Sequence, residues 1–177
     1  MKKTLLLWQI AGFIFTGILG TLLHFLYNWT NQSPLVAPFS AVNESIWEHM
    51  KLLFFPMFLF SLIENLFIGG QYENFWCVKL SGIILGLILI PVLYYTYTGI
   101  FGVSKDWFNI TIFFIANAVA YLWETYLLHR GISLGLSSQA CFMVLYGITF
   151  LFIILTFVQP EIPLFQDPKS GVYGMRK

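Results

Sequence analysis

Five apolar runs, at 4–27, 50–69, 76–100, 107–128 and 137–158, occupy most of this chain, separated by one long break at 28–49 and three short ones. Crossing a hydrocarbon layer of about 30 Å takes roughly 20 helical residues. Within that layer every backbone N–H and C=O must be satisfied inside the segment, which leaves helices or closed barrels as the spanning structures. Continuous apolar runs of this length select helices. The pattern predicts an all-α protein: a polytopic transmembrane bundle of five spanning helices, multi-pass in the cell membrane, with the lipid bilayer as its first partner. Lys2 and Lys3 precede the first run as they would in a signal peptide. That run is too long for a signal core, and no small-residue cleavage site follows before His24, so it reads as a retained helix. Residues 1–158 are expected to form a single transmembrane domain. A polar tail, 159–177, follows from Gln159-Pro160.

Composition excludes several classes. Hydrophobic residues make up 58% of the 177 and charged residues 10%, against about 45–50% and 25% in soluble domains. A net charge of +1 without a run of Lys or Arg gives no footprint for nucleic acid. Cys77 and Cys141 match neither a disulfide framework nor a zinc ribbon and read as two small apolar residues packed in helices. Five spans put the termini on opposite sides. The N-terminal side carries Lys2, Lys3, Lys79 and Arg130, and the other side carries Lys51, Lys105, Lys169, Arg176 and Lys177. Four against five leaves orientation open.

Depth sorts the polar residues into two groups. Glu64 and Glu124 lie one or two turns from the N-terminal side, and Lys79 starts the third span on that side. Charges near lipid are costly, so these three are expected to meet. Asn117, Tyr121 and Glu124 share one face of the fourth span. Glu64, Lys79, Asn117 and Glu124 are therefore expected to form a buried polar network, read either as an ion pair fixing helix packing or as a proton or cation site. On the first span, Gly12, Thr16 and Gly20 recur every four residues and lead to His24. Small residues at this spacing let membrane helices approach closely, so His24 should face protein.

The second group gathers at the other side around Asn43-Glu44-Ser45-Ile46-Trp47-Glu48-His49-Met50-Lys51. If this stretch is helical, Glu44, Glu48 and Lys51 share a face, and two carboxylates one turn apart repel unless a proton, Lys51 or a metal lies between them. Ser45-x-x-Glu48 also fits a capping box, which explains neither Glu44 nor His49. His24 reaches the same depth, as do Tyr94, Tyr95, Tyr97 and Asp106. His24, His49, Glu44 and Glu48 are thus candidate ligands for zinc or another divalent cation. Glu48, His49 and Glu44 are the candidate catalytic groups.

Residues 43–50 resemble the opening motif of the progestin and adiponectin receptor family, which belongs to a superfamily of membrane hydrolases that includes alkaline ceramidases. The resemblance implies a zinc ligand at His49. It covers about eight residues, and this chain is one residue shorter within the motif. It has five spans rather than seven and lacks the late pair of histidines that completes the family's site. The whole chain, with its Pro163-Leu164-Phe165-Gln166-Asp167-Pro168 tail, is also similar to a family of small bacterial membrane proteins of unknown function.

Two function classes stay open. One is a binding, transport or assembly subunit with a polar site at the mouth of the bundle, taking a small-molecule or lipid ligand or a membrane-protein partner. The other is a zinc-dependent membrane hydrolase acting on a lipid or amide. The hydrolase requires an open metal position bound by three protein ligands.

Overall fold

A computed structural model describes residues 2–175, so Arg176 and Lys177, counted above among the basic residues, lie outside the described residues. Among these residues the chain forms five α-helices: α1 (Lys2–Trp29), α2 (Ile46–Phe67), α3 (Phe75–Phe101), α4 (Asp106–Arg130) and α5 (Ser138–Phe157). Each is long and apolar enough to cross a membrane. No β-strand occurs among the described residues. Exposed large apolar side chains such as Leu7, Leu66, Leu122 and Phe150 ring the outside, as a lipid-facing surface requires.

Small residues set the helix contacts. A Cβ on Gly12 would lie 2.5 Å from Tyr121 of α4 and 2.7 Å from Phe60 of α2. One on Gly20 would meet the Leu52 carbonyl at 2.7 Å. Thr16, fully buried between them, is hydrogen-bonded to the Tyr121 hydroxyl at 3.0 Å. The α1 stripe therefore faces protein and lets α1 lie against α2 and α4. On α3, Gly86 admits Leu53, and Ala116 and Ala120 of α4 are fully buried beside it. The helices stop at identifiable residues. Gly102 and Gly131 adopt left-handed φ values of 69° and 63° at the ends of α3 and α4, where glycine carries no Cβ penalty.

Two expectations are corrected. Cys77 and Cys141 are joined in a disulfide and are not separate packing residues. Both lie within a turn of helix starts on the same side of the bundle, a coincidence of depth that a separation of 64 residues does not reveal. The bond ties α3 to α5, the least buried of the five helices. Second, α2 begins at Ile46 with Ser45 as its N-cap, so Glu44 precedes the helix and does not share a helical face with Glu48 and Lys51. The capping box is half made. Ser45 Oγ accepts from the Glu48 N–H at 3.4 Å, but the Glu48 carboxylate turns to the Val42 N–H at 3.0 Å.

The tail folds back over the end of the bundle where α2 begins. Phe165 stacks on Trp47 with centroids 4.5 Å apart, and the Asn43 side-chain amide donates to the Gly174 carbonyl at 3.1 Å.

Candidate functional site

The site is built where α1 ends and α2 begins. Asn43 accepts the Ser45 N–H at 2.9 Å through its side chain, making a local turn that competes with helix and delays its start. Glu44 sits in that turn and projects towards the end of α1. His49, one helical turn beyond Ser45, places Nδ1 2.9 Å from the Ser45 carbonyl. A carbonyl only accepts, so Nδ1 carries the hydrogen. In the neutral ring Nε2 is then a bare lone pair, and it points at Glu44 Oε2, 3.9 Å away. His24 Nε2 lies 3.7 Å from Glu44 Oε1, and the two imidazole centroids are 5.6 Å apart. His24, Glu44 and His49 can each offer one ligand atom with all three atoms within 4.8 Å of one another.

The cluster faces a cavity of about 380 Å³ between α1, α2 and α4, whose wall includes Phe25, Leu52, Ile110 and Phe113. Asp106 and Asn109 add polar groups from α4. Lys169 of the tail stands at its rim, paired with Asp106 at 3.0 Å. The His24 imidazole, though farther from Glu44 than a made hydrogen bond, is the largest influence on that carboxyl. With the charges of His49, His24 and Lys169 it outweighs partial burial and holds Glu44 at about 2, well below the usual carboxylate range. The Asp106 hydrogen bond raises the Lys169 ammonium above its ordinary value. Both groups are therefore charged at neutral pH.

Glu48 does not line this cavity. It pairs with Lys51 at 2.6 Å, and both side chains are fully buried. Its other oxygen accepts from Gln159 at 3.2 Å. Lys51 also donates to the Ala37 carbonyl at 2.9 Å and the Thr156 hydroxyl at 3.0 Å. This closed pair clasps α2, the 30–45 connection and the start of the tail. Ala37, Val42, Thr156 and Gln159 carry no periodicity or motif, and sequence reasoning passed over them. Tyr97 donates to Asn109 at 2.5 Å in the α3–α4 turn, and neither it nor Tyr94 lines the cavity.

At the opposite end, Lys79 Nζ lies 2.5 Å from Glu64 and 2.5 Å from Glu124, and all three side chains are fully buried. Gln9 of α1 donates to Glu64 at 2.8 Å. Asn117 stands apart from this cluster. Its amide donates to the Phe13 carbonyl at 3.0 Å, joining α4 to α1.

The five apolar helices fit an integral, multi-pass membrane protein carrying an ionisable pocket at one end of its bundle. The chain belongs to DUF6512, a family of unknown function, which matches residues 1–175. No curated protein and no solved structure matches it.

Proposed function

We propose that the protein is a divalent-metal-binding protein of the cell membrane in which His24, Glu44 and His49 hold the ion at the mouth of the bundle. One observation carries this reading. With the His49 ring neutral, its Nε2 lone pair and the Glu44 carboxylate, both acceptors, face each other at 3.9 Å, and the second imidazole meets the same carboxylate at 3.7 Å. A cation between them satisfies all three groups. The His49 Nδ1–H bonded to a carbonyl is the outer-shell contact that orients metal-ligating imidazoles. Two imidazoles and a carboxylate suit zinc and leave its fourth position free. His24, Glu44 and His49 all line the cavity, which would suit a small-molecule or lipid ligand whose apolar part lies along Phe25, Leu52 and Phe113 and whose anionic group reaches the ion and Lys169. In this reading Glu48 supports His49 through the helix start rather than touching the metal.

The open fourth position also favours a second reading, hydrolysis of a lipid ester or amide by a zinc-bound water. Asp106, in the same cavity, is then the carboxylate left to act as general base.

The test is metal analysis of protein purified in mild detergent without chelator, followed by zinc titration. The expected result is one zinc per chain in the wild type and weak or absent binding in His24→Ala, Glu44→Gln and His49→Ala that remain folded. Absence of zinc uptake by the wild type, or undiminished uptake by all three variants, would overturn the proposal. Zinc-dependent release of fatty acid from a lipid amide or ester would select the hydrolase.

A further inference from the structure

We infer that the Glu64–Lys79–Glu124 cluster is a proton-binding site, one of its two carboxylates holding an exchangeable proton at a point where four helices meet. It is independent of the metal reading.

The argument is one of charge. Glu64, Lys79 and Glu124 are each fully buried, and with all three ionised the cluster carries a net charge of −1. The other groups that face it are neutral or apolar: Gln9 from α1, Phe75 from α3, Tyr121 from α4 and Tyr72 from the α2–α3 connection. No second cation is paired with it among the described residues. An unbalanced charge in a dry interior is strongly unfavourable, and such a group neutralises instead.

The Glu48–Lys51 pair shows what a static pair in this protein looks like. One carboxylate meets one ammonium, and the oxygens and the nitrogen all have partners. The three-residue cluster is not closed in this way. Glu124 Oε1 is a buried carboxylate oxygen with no donor. Space decides which positive species completes the set. The Glu124 carboxylate lies against the α3 backbone at Gly82, so tightly that a Cβ there would come within 2.5 Å of Oε1. That packing has no room for a metal ion with its ligand shell, and a proton needs none. Two carboxylates coupled through one ammonium then titrate as a unit, sharing the proton. Glu124, with its unpartnered oxygen, is the natural seat. Since α1, α2, α3 and α4 all contribute side chains, the proton sits in a contact shared by four of the five helices.

Difference infrared spectroscopy of the purified full chain, in detergent, tests this. A buried protonated carboxylic acid gives a carbonyl stretch well above the carboxylate bands. The expected result is such a band at neutral pH that shifts on deuterium exchange and disappears as pH is raised. It should persist in Glu44→Gln and be lost in Glu124→Gln or Glu64→Gln. The companion measurement is thermal stability at neutral pH. Glu124→Gln should melt close to the wild type, because an amide replaces a group that is already neutral, whereas Lys79→Met should melt far lower. A wild type without the band at any pH, or a band that survives both amide substitutions, overturns the inference. So does failure of both amide variants to fold, because a cluster already holding one proton tolerates one amide.

Discussion

Replacing Lys51 with Met tests the clasp at the α2 end of the bundle. The ammonium is fully buried and held by Glu48 at 2.6 Å, the Ala37 carbonyl at 2.9 Å and the Thr156 hydroxyl at 3.0 Å. Without it Glu48 keeps the Val42 N–H and the Gln159 amide, but its charge has no counterion. Breaking a buried pair by removing one partner costs about 3–5 kcal/mol. For a chain of this size each kcal/mol moves the melting temperature by about 2–4 °C, so Lys51→Met should melt roughly 6–20 °C lower. Glu48→Gln should be similarly destabilised, since it strands the ammonium. The double variant Glu48→Gln/Lys51→Met should recover most of the loss, because no unpaired charge is left. Thermal unfolding in detergent followed by tryptophan fluorescence is well placed to read this, with Trp47 stacked on Phe165 nearby. Single variants that melt like the wild type, or a double variant as unstable as the two singles combined, would refute the reasoning. The folded double variant should also keep zinc binding. If it does not, Glu48 belongs to the metal site.

Glu44 gives a pH dependence of definite sign. Its folded-state value of about 2 lies below the ordinary 4.5, so its contribution to stability is complete above pH 4.5 and is lost as pH falls towards 2. Melting curves across that window should show this slope in the wild type and a flatter one in Glu44→Gln. The Cys77–Cys141 bond lies on the N-terminal side, and disulfides persist in oxidising compartments. Impermeant thiol reagents applied to intact cells should therefore label a cysteine placed at Glu73 and spare one placed at Lys105. The reverse pattern would show that the end of the bundle carrying the proposed metal site opens outward.

Apolar run length carried the helices, since membrane spans must satisfy their own backbone bonds and nothing shorter fits. The α1 stripe was legible for the same reason: packing between membrane helices needs small residues, and Gly12, Thr16 and Gly20 supply them. The nearness of His24 and His49 followed from depth alone, because α1 ends and α2 begins at one side. The separation of Glu44 from Glu48 did not follow. Asn43 and Ser45 compete for backbone N–H groups and start the helix after Glu44, a local choice invisible to a face-counting argument. The partners of Lys51 were hidden because a carbonyl in a connection and a threonine on α5 carry no sequence signal. The disulfide was hidden because its cysteines meet through helix order, not spacing.

The central claim is a metal held by two imidazoles and a carboxylate facing the cavity. X-ray absorption at the zinc edge, on the full chain loaded with one equivalent, tests it most directly. The account predicts two imidazole nitrogens at about 2.0–2.1 Å and oxygen donors completing a four-coordinate shell, with the imidazole signal reduced in His49→Ala. A shell of oxygen alone, or one unchanged in His24→Ala and His49→Ala, would contradict it.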